Sequence, residues 1–307
     1  MSNVALIFPG QGAQFVGMGK DFYDNSPEAK EIFDKAGSII PGLTDIIFNG
    51  PQEKLTSTAF CQPAIVTFSI AALEALKVNP KFREISPRYA AGLSLGEYSA
   101  LVACGALGFE DTIRLVERRS FYMDQACQTT RGTMAAVIGF DRDQLAEVCT
   151  ETGAQVANFN SNDQTVISGE VEKVQAASEI IKERGAKRVI PLSVSGAFHS
   201  SLMQPAVAKF EEDLKKVTIQ SPEFPIISNV NGLQVDDSSI IKTNLIQQIT
   251  SSVQWVKTIE HIASQGITTF LEIGPGSVLK GLIRKINKDL TVYNIEKTGD
   301  IEKLLAE

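Results

Sequence analysis

Few residues in this chain have the type and the setting for covalent chemistry, and the clearest is Ser94, in "AGLSLGEYSA" at residues 91–100. The stretch reads Gly-x-Ser-x-Gly between an apolar run, "RYAAG", and a helical pattern, "EYSALVACGAL". That context places a serine on a sharp strand-to-helix turn with its hydroxyl at the helix N-terminus. Gly92 and Gly96 remove side chains where strand and helix approach, and the backbone N–H of Leu95 is expected to face an oxyanion formed on a substrate carbonyl. A serine needs a neighbouring base to become nucleophilic. Of the two histidines, His261 falls in the helical "TIEHIASQG" and reads as a structural or solvated residue. His199, in "SVSGAFHSSLM", sits among small residues where a strand pattern gives way to a helix pattern, the place for a base. The chemistry implied is acyl transfer or ester hydrolysis through an acyl-serine.

Two further stretches could complete such a site. The opening "FPGQGAQ" has Phe15 where a dinucleotide fingerprint needs its third glycine, and no acid at the ribose-binding distance. It is read instead as a glycine loop able to turn the backbone N–H of Gln11 toward Ser94. In "RLVERRSFYM", Arg114 and Arg118 lie one helical turn apart and Arg119 lies on another side. An arginine aimed into an acyl site implies an acyl group carrying its own carboxylate, which guanidinium grips with two parallel donors.

The elements that must position these residues follow from periodicity. "VALIF", "RYAAG", "FPIISNV", "TTFLEIG" and "TVYNIE" are short apolar runs bounded by turn residues and read as buried strands. Between them lie helical patterns, among them "SPEAKEIFDKAGSII", "FEDTIRLVERRSFYMDQAC", "SSLMQPAVAKFEEDLKKV", "VQWVKTIEHIASQG" and "QPAIVTFSIAALEALKV", the last with Pro63 at an expected first helical position. The alternation predicts an α/β fold with a mainly parallel sheet. From Gly132 to Leu192 the rhythm becomes βαββαβ, the ferredoxin-like order, which reads as a lobe inserted at 129–193 into a larger unit made of 1–128 and 194–307.

Composition narrows the partners. The chain has 307 residues, 43% hydrophobic and 21% charged, with a net charge of −7, and no basic run interleaved with aromatics, so nucleic acid is not an expected partner. The opening lacks a basic leader, and no apolar run is expected to reach the roughly 18 residues that span a bilayer, so a cytoplasmic protein without a membrane partner is expected. Cys61, Cys104, Cys127 and Cys149 form no Cys-x-x-Cys pair and read as free thiols, with no metal site. The basic "KGLIRKINK" near the C-terminus is a solvated helix face or a patch for an acidic partner.

Taken together in order, "FPGQGAQFVGMG", "QPAIVTFSIAALEAL", "GLSLGEYSALVACGAL", "RLVERRSFYM", "GTMAAVIG", "GAFHSSLM", "SNVNG", "VQWVKTIE" and "LEIGPGSVLKGLIRKI" resemble the malonyl-CoA:acyl carrier protein transacylases of fatty acid synthesis and the related acyltransferase domains of polyketide synthases. The resemblance runs nearly end to end. It implies an α/β-hydrolase-like unit with an inserted ferredoxin-like one, and a ping-pong transfer of malonyl from malonyl-CoA to acyl carrier protein by a monomer without a cofactor. It also implies roles: Ser94 as nucleophile and His199 as base, Gln11 and Leu95 N–H groups as oxyanion hole, Arg119 as the malonyl-carboxylate ligand, and Gln248 orienting His199 through its backbone carbonyl. "GAFH" resembles the malonyl-selective pattern. One departure is Leu93, where such proteins most often have histidine; His199 is then the one plausible base. A serine thioesterase would share the Ser94 turn and the base without needing Arg119, and a silent carrier-binding module would need none of the three.

Overall fold

The computed structural model describes residues 3–304 of the chain. Strands are numbered along the chain. β1 (Val4–Phe8) and β2 (Pro87–Gly92) begin a large sheet, and β3 (Gly132–Ile138), β4 (Gln155–Ser161), β5 (Gln164–Glu170) and β6 (Arg188–Pro191) form a small one. The chain then returns to the large sheet with β7 (Ile226–Ile227), β8 (Gln234–Val235), β9 (Thr269–Ile273) and β10 (Thr291–Ile295). Its order is β10-β9-β1-β2-β7-β8, parallel throughout except that β8 runs antiparallel to β7. The class is α/β, with an α/β-hydrolase-like large part and a ferredoxin-like small part.

The apolar composition of β1 explains its central position. All five residues are buried, and their alternation sends Val4, Leu6 and Phe8 into one apolar layer and Ala5 and Ile7 into another. A strand covered by helices on both faces needs no polar alternate. The parallel strands also bring the ends of β1 and β2 to one edge of the sheet, where the loops after them meet.

The small sheet, ordered β4-β5-β3-β6 and antiparallel, packs on two sides for the same reason. Ala135, Val137 and Ile167 face the helices Arg142–Thr152 and Val171–Glu183, whereas Met134, Ala136 and Val166 face the core of the large part. Backbone bonds from Val253 N to Ala157 O (2.8 Å) and from Phe159 N to Val253 O (2.9 Å) tie β4 to the large part. The small sheet therefore forms one wall of a cleft whose opposite wall is the edge bearing Ser94.

Three sequence expectations need correction. Pro63 does not begin a helix: it lies inside the helix Thr58–Lys77. The turn bonds Phe60 N and Cys61 N to Ser57 O start the helix earlier, and burial of Ala64, Ile65, Val66 and Phe68 offsets the one backbone bond that proline cannot donate. The consequence is that Gln62 is a helical residue aimed inward. The Ala59–Lys77 part of this helix is also long and apolar enough to cross a membrane, contrary to the reading above; in the folded chain 83% of that window is buried inside the protein. Finally, "FPIISNV" supplies only the two-residue β7, because the chain turns at Ser228, where Gly232 N bonds Ser228 O at 2.8 Å. That turn delivers Asn229 to the Ser94 loop.

Candidate active site

Ser94 follows β2 and precedes the helix Gly96–Ala103. Its φ is +52° and that of His199 is +57°, and these are the only non-glycine residues with positive φ among the described residues. Such backbone is sparsely populated and persists only where surrounding contacts impose it. The imposing contacts are visible. A Cβ on Gly92 would lie 1.9 Å from the Gly96 carbonyl carbon, and one on Gly96 would lie 2.1 Å from Phe8 O, so only glycine lets β1, β2 and the helix converge here. Asn229, 1% exposed, closes the turn: its Oδ1 accepts from Ser94 N at 2.6 Å and its Nδ2 donates to Gly92 O at 2.7 Å.

His199 lies in the loop between β6 and the short turn Ser201–Met203. Its Nε2 is 2.8 Å from Ser94 Oγ and its Nδ1 is 2.9 Å from the backbone oxygen of Gln248. A carbonyl can only accept, so the ring proton sits on Nδ1 and Nε2 is left to accept from the serine hydroxyl. Burial, and next the Arg119 charge, push the imidazole down to about 4. The ring is therefore neutral at physiological pH, the state in which it can take a proton.

Arg119 comes from the helix Phe109–Thr129 and is 1% exposed. Its guanidinium donates to Gln62 Oε1 at 2.7 Å, to Gln248 Oε1 at 3.0 Å and to Ser94 Oγ at 3.4 Å, with the Tyr98 ring 5.4 Å away. Burial pulls its pKa below the usual arginine value, opposed by Tyr98 and Glu97. These three acceptors are neutral, so the cation retains capacity for an anion beside the serine hydroxyl. The other two arginines point elsewhere: Arg114 reaches Glu110 at 4.0 Å on the surface, and Arg118 reaches Asp213 at 3.1 Å.

A cavity of about 170 Å³ lies between the two parts of the chain, lined by Gln11, Gln62, Leu93, Ser94, Leu95 and Arg119 on one side and by Asn158, Asn160 and Val166 on the other. Gln11 and Leu95 both line this cavity beside Ser94. Leu95 is the N-cap of the helix Gly96–Ala103, whose first N–H groups, those of Gly96, Glu97 and Tyr98, bond the backbone oxygens of Leu93, Ser94 and Leu95. Leu93 contributes an aliphatic wall and packs against the apolar layer that also holds Ala5 and Ile7 of β1. His261 takes no part; its ring lies edge-on to Tyr89 with centroids 6.3 Å apart. Among the described residues no cluster of His, Cys, Asp and Glu could hold a metal, and the four cysteines are unpaired.

Sequence reasoning missed Gln62, Glu97 and Asn229. Gln62 was hidden by the misplaced helix start. Glu97 and Asn229 lay inside quoted stretches, "GEY" and "SNVNG", with nothing local to say that they meet.

Residues 5–300 match the acyl transferase domain family. The malonyl CoA-acyl carrier protein transacylase of Bacillus subtilis (strain 168) is 46% identical over 310 aligned positions, which cover 98% of this chain and 96% of that one. Among solved structures, the acyl-carrier-protein-S-malonyltransferase of Bartonella henselae superposes with a TM-score of 0.94 at 39% identity, covering all of both chains. A malonyl-transacylase solved in complex with its type II PKS acyl-carrier protein gives 0.93 at 36% identity, over 99% of each chain. With similarity of this extent, and with Ser94, His199 and Arg119 converging on one cavity, the chain belongs to the acyl transferase domain family, among the malonyl CoA-acyl carrier protein transacylases.

Proposed function

We propose that this protein transfers a malonyl group from malonyl-CoA to the phosphopantetheine thiol of acyl carrier protein, supplying fatty acid chain elongation through a malonyl ester on Ser94. The observation that carries the malonyl assignment is Arg119, buried among neutral acceptors 3.4 Å from Ser94 Oγ. A neutral acyl group would leave that guanidinium bonded to neutral acceptors alone, whereas a malonyl carboxylate satisfies it with paired charge-assisted bonds.

The reaction then runs as two mirrored steps around a Ser-His dyad. Ser94 Oγ attacks the thioester carbon while its proton passes to His199 Nε2. The tetrahedral oxyanion is held by the N–H groups of Gln11 and Leu95. Its collapse breaks the C–S bond and expels the CoA thiolate, which takes the proton back from His199. The carrier thiol next gives its proton to His199 and attacks the Ser94 ester, and a second collapse restores the serine hydroxyl. Gln248 O keeps the proton on Nδ1 throughout and stabilises the imidazolium formed in each step, so no acidic third residue is required. In this reading residues 1–128 and 194–307 form the catalytic unit, 129–193 form the inserted unit that closes the cleft, and the protein works as a cytoplasmic monomer.

Carrier protein bearing its phosphopantetheine, mixed with enzyme preloaded from malonyl-CoA, is expected to gain the mass of one malonyl group while the enzyme loses it. Loss of the enzyme adduct with free malonate released and the carrier unchanged would make the protein a thioesterase instead.

A further inference from the structure

Behind the reacting residues lies a carboxylate that the two-step mechanism does not use. Glu97 sits in the first turn of the helix Gly96–Ala103 and is 2% exposed. One of its oxygens, Oε2, accepts from two donors: Gln248 Nε2 at 2.7 Å and Asn229 N at 3.2 Å. Each donor residue governs a different half of the site. Asn229 holds the Ser94 turn through Ser94 N and Gly92 O. Gln248 holds His199 through its backbone oxygen, Arg119 through its side-chain Oε1, and Ser94 O through Nε2.

A primary amide can present either end in the same space, and only its partners decide which way it points. At Gln248 the decision is two-sided. Arg119 has donors only and demands the amide oxygen; Glu97 Oε2 accepts and demands the amide nitrogen. Reversing the amide would set its NH2 against the guanidinium and leave two oxygens facing one another, all in a dry interior where unpaired polar groups are costly. Burial pushes the Glu97 carboxyl up to about 7, against the pull of the Gln248 and Asn229 bonds and the Arg119 charge. Either protonation state can keep Oε2 as an acceptor, with the proton on the other oxygen.

We infer that Glu97 is a positioning residue: by accepting from Gln248 and Asn229 on one oxygen it fixes the Ser94 turn, the His199 carbonyl partner and the Arg119 amide partner in a single register. The inference rests on Ser94, His199 and Arg119 acting as proposed above, and deepens that assignment. It makes acceptor capacity, rather than charge, the property required at position 97.

The test compares Glu97→Gln, which keeps an acceptor oxygen, with Glu97→Met and Glu97→Ala, which do not. Two readouts are taken on folded protein, judged by near-ultraviolet circular dichroism. The first is the rate at which phenylmethylsulfonyl fluoride sulfonylates Ser94, which reports the dyad without any acyl substrate. The second is the KM and kcat for malonyl-CoA against acetyl-CoA. Glu97→Gln is expected within about threefold of the natural chain in both. The two non-accepting variants are expected to lose about ten- to a hundredfold in sulfonylation rate, because small displacements of reacting groups carry penalties of that order, and to raise the KM for malonyl-CoA more than that for acetyl-CoA. Folded Met or Ala variants with unchanged rates would overturn the inference. So would a Glu97→Gln variant as impaired as they are, or failure of both non-accepting variants to fold, which would make the residue purely structural. A natural chain that sulfonylates but takes no malonyl group would refute the transacylase assignment while the sulfonylation rates still decide the role of Glu97.

Discussion

Replacing His199 with alanine is expected to slow acylation of Ser94 by malonyl-CoA about a thousandfold, the scale of a positioned general base. The argument is geometric before it is electrostatic. Nε2 lies 2.8 Å from Ser94 Oγ, and Nδ1 is committed to the Gln248 carbonyl, so the unprotonated nitrogen already faces the proton to be removed. His261 cannot take over, since its ring is packed against Tyr89 in another part of the chain. The imidazole is held down to about 4, so the natural enzyme should keep its base in the active, neutral form as pH falls from neutrality, losing it only as pH approaches that value. Single-turnover acylation, followed by quenched mass measurement across pH, checks both statements. A His199→Ala enzyme within tenfold of the natural rate would remove the histidine from the mechanism.

Arg119→Ala is expected to separate the two substrates that a simple loss of folding would not separate. Malonyl-CoA should lose about a hundredfold or more in kcat/KM, the order expected when a charge-assisted paired contact is removed from a buried site. Acetyl-CoA, which has no carboxylate to place, should change by less than about tenfold. The guanidinium also donates to Gln62 and Gln248, so some loss common to both substrates is expected from disturbed amides. The ratio between substrates carries the information. Equal losses would mean that Arg119 only supports the fold of the cleft.

What the sequence made legible, and what it hid, follows the range of the interactions. Ser94 stood out because its constraints are local: glycines two residues away on each side, an apolar run before and a helical run after. The α/β class was readable because β1 is continuously apolar and the helical stretches carry their own periodicity. Pro63 misled because proline's preference for a first helical position is a local tendency, and the apolar packing of the helix Thr58–Lys77 overrides it. The seven-residue run "FPIISNV" yielded a two-residue strand because the chain turns at Ser228, and that turn presents Asn229 to Ser94 N, a partner 135 positions away. Glu97 and Gln248 are 151 positions apart, and no pattern of neighbours announces an amide whose orientation is set by a carboxylate on one side and a guanidinium on the other. The polar network that organises the cleft is thus a product of tertiary contact, written in residue types that are ordinary in isolation.

Intact-chain mass spectrometry of the purified protein after brief exposure to malonyl-CoA alone, beside its Ser94→Ala variant, addresses the central claim directly. The natural chain should gain the mass of one malonyl group and the variant none, with the adduct on the peptide containing Ser94. An adduct that survives in Ser94→Ala, or a natural chain that releases CoA without ever carrying malonyl, would contradict transfer through a malonyl-serine.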